Sequence, residues 1–263
     1  MPRFRLLIEY AGSKYSGWQV QKNARTVAGD IERAVAEATG EHGFELYGAG
    51  RTDAGVHALG QVAHLDVRTS LPPERLVTRL NDALPADINI LQATKVPHRF
   101  HARHDAASRT YVYQIARRRT AFAKPFVWWV KTPLDVAAMR AAAEVFGGMR
   151  DFRAFTDDDP EEKSTLVDLA PIDIHDEADR VLVVLSGSHF LWKMARRLVG
   201  VVKAAGAGDL AAREIAGLLG GRSGLPAQLT APASGLFLAR VTYPGDPPAP
   251  LPRPPGPTGG WLG

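Results

Sequence analysis

Apolar residues fall at alternate positions over Phe4, Leu6, Ile8 and Tyr10, with Arg3, Arg5, Leu7 and Glu9 between them. That is the period of a strand with one face turned toward a core. The period then lengthens. Val27, Ile31, Ala34, Val35 and Ala38 recur at helical spacing behind Thr26, whose hydroxyl suits a helix N-cap, and Asp30 lies in the first turn, where the helix dipole favours negative charge. A short strand over residues 44–47 leads into a glycine-rich stretch at 48–60, followed by a strand over 62–67. Pro73 opens a second helix carrying Leu76, Leu80 and Leu84, and residues 88–93 read as another strand. The first half thus predicts the order βαββαβ.

Beyond a junction at residues 103–107, Tyr111, Tyr113 and Ile115 alternate as a strand, and Val136, Met139, Ala143 and Phe146 mark a helix. Strands over 170–175 and 181–186 follow. A helix bearing Leu191, Met194, Leu198, Val201, Val202 and Ala205 comes next, then a short helix over 210–219 and a last strand over 236–243. The same order returns. The expected fold is α+β, with two ferredoxin-like βαββαβ halves forming a continuous, mostly antiparallel sheet with a central cleft. Residues 1–105 make the N-terminal half and 106–245 the C-terminal half. From Pro244 onward eight prolines leave no helix or strand, so residues 246–263 are expected as an extended tail lying on the surface.

Composition narrows the chemistry. At 263 residues and 45% hydrophobic, the chain can build a substantial core. No apolar run approaches the roughly 20 residues of a membrane span, and the default is a cytoplasmic enzyme. Zero cysteines exclude disulfides, thiolate catalysis and cysteine-held zinc or iron–sulfur clusters. Any nucleophile must therefore come from oxygen or nitrogen side chains; there is no Walker loop, dinucleotide fingerprint or serine-hydrolase elbow, and no cofactor is expected. The net charge is only +4, but the basic residues cluster. Arg99, Arg103, Arg109, Arg117, Arg118 and Arg119 accompany a single acid, Asp105, while Lys193, Arg196, Arg197 and Lys203 accompany none. Either run alone reads equally well as a solvated face; together they point to phosphate.

The densest chemistry is Gly48-Ala49-Gly50-Arg51-Thr52-Asp53-Ala54-Gly55-Val56-His57-Ala58-Leu59-Gly60-Gln61. Its small residues permit a tight path and close approach by a ligand, leaving Arg51, Thr52, Asp53 and His57 as the functional groups. In extended backbone Arg51 and Asp53 point to one side. An arginine there keeps the carboxylate ionised, as a nucleophile requires, yet an ordinary loop salt bridge fits the same spacing. Spacing alone does not decide between them.

The segment GAGRTDAGVHALGQVAH closely resembles the catalytic motif of the TruA family of tRNA pseudouridine synthases. The resemblance extends, in the family's order, through Glu9-Tyr10-Ala11-Gly12-Ser13-Lys14-Tyr15-Ser16-Gly17-Trp18-Gln19-Val20-Gln21, Phe100-His101-Ala102-Arg103, Arg109-Thr110-Tyr111-Val112-Tyr113, Met194-Ala195-Arg196-Arg197-Leu198-Val199-Gly200 and Ser234-Gly235-Leu236-Phe237-Leu238. It implies a homodimer of ferredoxin-like halves that modifies uridines 38, 39 and 40 in the anticodon stem-loop of tRNA, without membrane association. By motif, Asp53 is the catalytic nucleophile and Arg51 its partner. Tyr111 and Leu236 line the uracil pocket, and Arg196 is the basic residue beside the aspartate. Ala11 departs from an aspartate common in the first motif, and Trp192-Lys193 stands where the family often has smaller or histidine residues; both bear on RNA contacts rather than on the reaction.

Pseudouridine formation breaks the ribose C1′ to uracil N1 bond, turns the base and joins C1′ to C5. It needs a carboxylate, walls for the freed base and a base for the C5 proton. The target must leave its stack at a cost of a few kcal/mol, and an RNA helix is recognised mainly through shape and phosphate. Arg103, Arg109, Arg117, Arg118 and Arg197, with Arg196, are the candidates for phosphate. His98, His101 and His104 do not share one helix face well and lack paired carboxylates, so no metal site is expected. Asp157-Asp158-Asp159 with Glu161-Glu162 reads as a solvated loop, His57 as structural, and Trp128-Trp129 as buried or interfacial. A non-catalytic RNA-binding module is the rival reading; it predicts binding without product.

Overall fold

The computed structural model describes residues 1–257. Two units emerge, residues 1–107 with 238–252, and residues 108–237 with 253–257.

The first unit runs β1 (Arg3–Tyr10), α1 (Val27–Thr39), β2 (Glu45–Gly48), β3 (His57–Asp66), α2 (Pro73–Ala83) and β4 (Ile88–Val96). This is the βαββαβ order. Strand β1 is central, antiparallel to β3 on one side and β4 on the other, and β2 extends β3 from the far side. Every second residue of β1, from Phe4 to Tyr10, is buried, as the alternation demands when one sheet face is covered by helices. Those helices supply Val27, Ile31, Val35, Leu76 and Leu80, all fully buried, each contributing about 1.5–3 kcal/mol. Thr26 caps α1 through its side chain, which accepts from the Gly29 amide, and Gly40 ends it in a left-handed conformation. Strand β3 begins at His57, inside the glycine-rich stretch and earlier than its apolar run indicates, because pairing with β1 reaches back to Ala58 opposite Tyr10.

The second unit runs β5 (Ser108–Ala116), β6 (Trp128–Trp129), α3 (Val136–Glu144), β7 (Gly148–Asp151), β8 (Leu166–Leu169), β9 (Asp173–Asp176), β10 (Arg180–Gly187), α4 (Met194–Gly206), α5 (Ala212–Ala216), α6 (Leu225–Gln228) and β11 (Leu236–Thr242). The last strand begins here and ends in the first unit. β10 lies between β5 and the short strands β8 and β9, with β7 beyond β8, all antiparallel. The fold is thus α+β with mostly antiparallel sheet. Its βαββαβ order is interrupted: where one strand was expected over 170–175 there are two, split around Pro171, and β7 precedes them. Phe146, Phe152 and Phe155 close the core edge to face, Phe146 to Phe155 at 5.4 Å and Phe152 to Phe155 at 5.9 Å. Trp128 is partly buried and Trp129 is 41% exposed on the edge strand β6.

The tail has no helix or strand through residue 257, but it is not loosely laid down. Arg240 donates to the Ala249 carbonyl at 2.6 Å and also to that of Pro250. In the second unit Arg180, Gln114 and Thr120 donate to the carbonyls of Pro254, Pro255 and Pro257. Prolines cannot donate, so buried side-chain donors satisfy this segment's acceptors.

Candidate active site

Asp53 opens a tight turn closed by the Val56 amide on the Asp53 carbonyl at 3.1 Å, with Gly55 at φ +80° where a type II turn demands a positive angle. The segment after β1 braces this turn. Trp18 N donates to the Thr52 carbonyl at 3.1 Å and Gly55 N to the Tyr15 carbonyl at 3.2 Å. The Tyr10 and Thr52 hydroxyls pair at 2.8 Å. Two glycines make the approach possible. A Cβ on Gly12 would lie 1.9 Å from the Val56 carbonyl oxygen, and one on Gly17, at φ +92°, 2.5 Å from that of Thr52. The Glu9 to Gln21 motif is therefore the physical bed of the aspartate loop. Tyr15 is anchored in turn by Asp87 at 2.6 Å, with its hydroxyl pKa raised first by burial and then by Asp87.

Behind the loop, Gln61 is fully buried and donates to the Gly50 carbonyl at 3.0 Å. His57, 1% exposed, accepts the Gly12 amide on Nδ1 at 3.0 Å, which fits its structural reading. Asp53 itself is half-buried and Arg51 exposed. Among the described residues Arg51 makes no hydrogen bond or ion pair. Arg51 instead lines an open depression together with Trp18, Tyr47 and Arg103.

In the second unit, Tyr111 is 8% exposed and meets Phe190 edge to face at 4.9 Å. Leu236 is 4% exposed and follows Gly235, which has no room for a Cβ because the Tyr113 ring would lie 2.6 Å away. Arg196 is tied to the segment leading there: its Nε donates to the Ala231 carbonyl at 2.7 Å and its own carbonyl accepts the Ala231 amide at 3.1 Å. Gly200 lets this segment cross α4, since a Cβ would sit 1.8 Å from the Leu229 carbonyl oxygen. Tyr113 donates to the Pro232 carbonyl at 2.8 Å, and burial pushes its pKa well up although Arg196 pulls the other way. Tyr113 was marked by the strand alternation and the motif that contains it, whereas Phe190 and the Leu229–Ala231 crossing carry no motif spacing and leave no signal beyond the small residues at Gly200 and Gly235.

The remaining basic candidates divide. Arg109 is 9% exposed and donates to the Ser188 carbonyl at 2.8 Å. Arg117 bonds Asp176 and the Glu177 carbonyl. Arg197 is 4% exposed and paired to Asp157, which also holds Lys193 at 2.7 Å. Arg103, Arg118 and Arg119 are exposed. The acidic stretch is accordingly more than a solvated loop. Lys193 foremost, and Arg197, hold the Asp157 carboxyl below its usual range, and Asp158 accepts the Trp192 amide at 3.0 Å and Lys163 at 2.6 Å. This clamp accompanies Lys193 at φ +64°, the one non-glycine residue with positive φ among those described, and it delays the start of α4 from Leu191 to Met194. His101 Nδ1 accepts the Arg103 and His104 amides, each at 3.2 Å, so its ring organises a turn.

The tRNA pseudouridine synthase family matches residues 6–105 and 142–244. The tRNA pseudouridine synthase A of Afipia carboxidovorans is 41% identical over 246 residues, covering 92% of this chain and all of the relative. That of Nitrobacter winogradskyi is 41% identical over 249 residues, covering 94% and 97%, and that of Thermoanaerobacter sp. 36% over 247 residues, covering 92% and 100%. A braced carboxylate turn on an α+β scaffold with exposed arginines fits an isomerase that acts on RNA. The chain belongs to the tRNA pseudouridine synthase family.

Proposed function

We propose that this chain converts uridines 38, 39 and 40 of the tRNA anticodon stem-loop to pseudouridine in the cytoplasm, with Asp53 as the nucleophile. The carrying observation is the mounting of Asp53: its turn is held by backbone bonds to Trp18, Tyr15 and Val56, while the side chain stays half-exposed. Such a fixed carboxylate needs no reorganisation when substrate arrives. Asp53 forms a transient bond to the nucleoside as the bond from C1′ to N1 breaks, the uracil turns between Tyr111 and Leu236, C1′ joins C5, the bond to Asp53 breaks to return its carboxylate, and the proton lost from C5 is balanced by one gained at N1. Arg196 is the basic residue of the site. The target uridine is flipped from its stem at a cost of a few kcal/mol, and Arg51, exposed beside Asp53, takes the flipped phosphate. Arg103, Arg118 and Arg119 hold the RNA backbone, while Arg109, Arg117 and Arg197 act chiefly within the fold.

Two copies form the working enzyme in this reading, supported by Phe122 and Trp129, which stand 95% and 41% exposed; sedimentation velocity showing only monomer removes that part. Among the described residues no helix is long and apolar enough to cross a membrane. The test of the reaction is to incubate unmodified tRNA with wild type and with Asp53→Asn and map pseudouridine by nucleotide. Product at positions 38 to 40 in wild type alone, with binding retained in the variant, is expected. Turnover by the variant sinks the assignment.

A further inference from the structure

A half-enclosed depression, with about 70 Å³ of accessible space, lies between α1 and the stretch running from β2 into the Asp53 loop. Its floor is the indole of Trp18, seated so closely on Gly48 that a Cβ there would lie 2.6 Å from the ring. One wall is Tyr47, 43% exposed, backed by His64 in a stacked contact at 5.8 Å and by His101 edge-on at 4.9 Å. An exposed aromatic ring held from behind is a ready stacking surface for a base. The opposite wall is one face of α1, with Ala28 and Glu32 four residues apart. Arg51 and Arg103 stand at the mouth.

Glu32 is half-buried and has no hydrogen-bond or ion-pair partner among the described residues. As an acceptor-only group with two oxygens, it matches an edge presenting two adjacent donors. Among the RNA bases only the Watson–Crick edge of guanine, with N1–H beside N2–H, offers that pair. Adenine sets an acceptor next to its amino group, uracil sets carbonyl acceptors on both sides of its single N–H, and cytosine offers one amino group.

We propose that this depression is a nucleotide subsite that takes a guanine of the bound RNA, its edge on Glu32, its ring against Tyr47 and its phosphate on Arg103. Burial alone pushes the Glu32 carboxyl up, as for a carboxylate with no partner among the described residues. The inference rests on RNA being the substrate. It adds a second reading point, separate from the uridine that reacts.

Saturation-transfer NMR and competition titrations of the full chain with guanosine, adenosine and inosine monophosphates provide the first test. Guanosine monophosphate should bind about tenfold more tightly than the other two, the scale of one bidentate base contact. Glu32→Gln should erase that preference. Turnover is then measured on tRNA transcripts carrying inosine at one guanosine at a time. One position should raise KM about tenfold with kcat unchanged, and the penalty should vanish in Glu32→Gln, whose KM on the unsubstituted transcript should already equal that of wild type on the inosine transcript. Equal binding of the three nucleotides overturns the proposal, as does a preference that survives Glu32→Gln. Binding of guanosine monophosphate with no sensitive position in the RNA also overturns it, the site then serving a free nucleotide. The reaction assignment fails separately: wild type would then leave uridines 38 to 40 unmodified whatever Glu32 does.

Discussion

The geometry of Asp53 depends on two glycines outside its own loop, and a pair of alanine substitutions separates backbone strain from lost approach. Gly17 sits at φ +92° with the Thr52 carbonyl oxygen 2.5 Å from a built Cβ, whereas Gly40, at φ +72°, has nothing within 4 Å. Both variants bear the left-handed cost of about 1–2 kcal/mol. Only Gly17→Ala adds a clash between backbone atoms that cannot rotate away, about 1–3 kcal/mol more. At roughly 2–4 °C per kcal/mol for a chain of this size, Gly40→Ala should lower Tm by roughly 2–8 °C and Gly17→Ala by about twice as much. The clash is relieved by moving Thr52 and Asp53, so kcat of Gly17→Ala on unmodified tRNA should fall on the order of 10²-fold. Gly40→Ala, at the far end of α1, should keep the wild-type kcat. If Gly17→Ala turned over within about twofold of wild type and melted with Gly40→Ala, the claim that the first motif positions the aspartate would be wrong.

Three further outcomes follow from the two units. Burial holds the His64 imidazole down at about 4, while its Nδ1 accepts the Ala102 amide at 3.1 Å. The unfolded chain therefore takes this proton first as pH falls, and His64 should account for about 2–3 kcal/mol of lost stability between pH 7 and pH 4.5. Urea melts of His64→Gln should show a flatter pH slope than wild type over that window; parallel slopes refute it. Ending the chain after Pro252 removes the carbonyls that accept from Arg180, Gln114 and Thr120; it should cost about 2–5 kcal/mol in chemical denaturation, and an unchanged midpoint would show that water replaces them. Exchanging Arg118 and Arg119 together for glutamine should weaken tRNA binding on every substrate and reduce its log–log salt slope by about 1–2, which filter binding from low to moderate salt reads directly.

How much of this was legible beforehand depended on whether the information was local. The alternation of Phe4 to Tyr10 and the Thr26 cap are local, and both β1 and α1 lie where they indicate. The small residues around Asp53 announced that something approaches the loop; they could not say that the Gly12–Trp18 backbone does, because spacing carries no record of a partner some forty residues away. Strands β7 and β8 span four residues each, with Met149 and Leu166 facing solvent, so neither has enough alternation to stand out from loop. Charge is the sharpest case. A run of arginines reports basicity, but only tertiary pairing decides which of them remains for phosphate. Register sets Arg109 opposite Gly187, within reach of the Ser188 carbonyl, and the acidic loop closes on Arg197. Both are buried, and Arg117 is bound to Asp176. A count of basic residues therefore overstates the phosphate contacts in this fold. A measured salt slope matching the full count would mean that these internal pairs open when RNA binds, at a cost in stability that the same titration would expose.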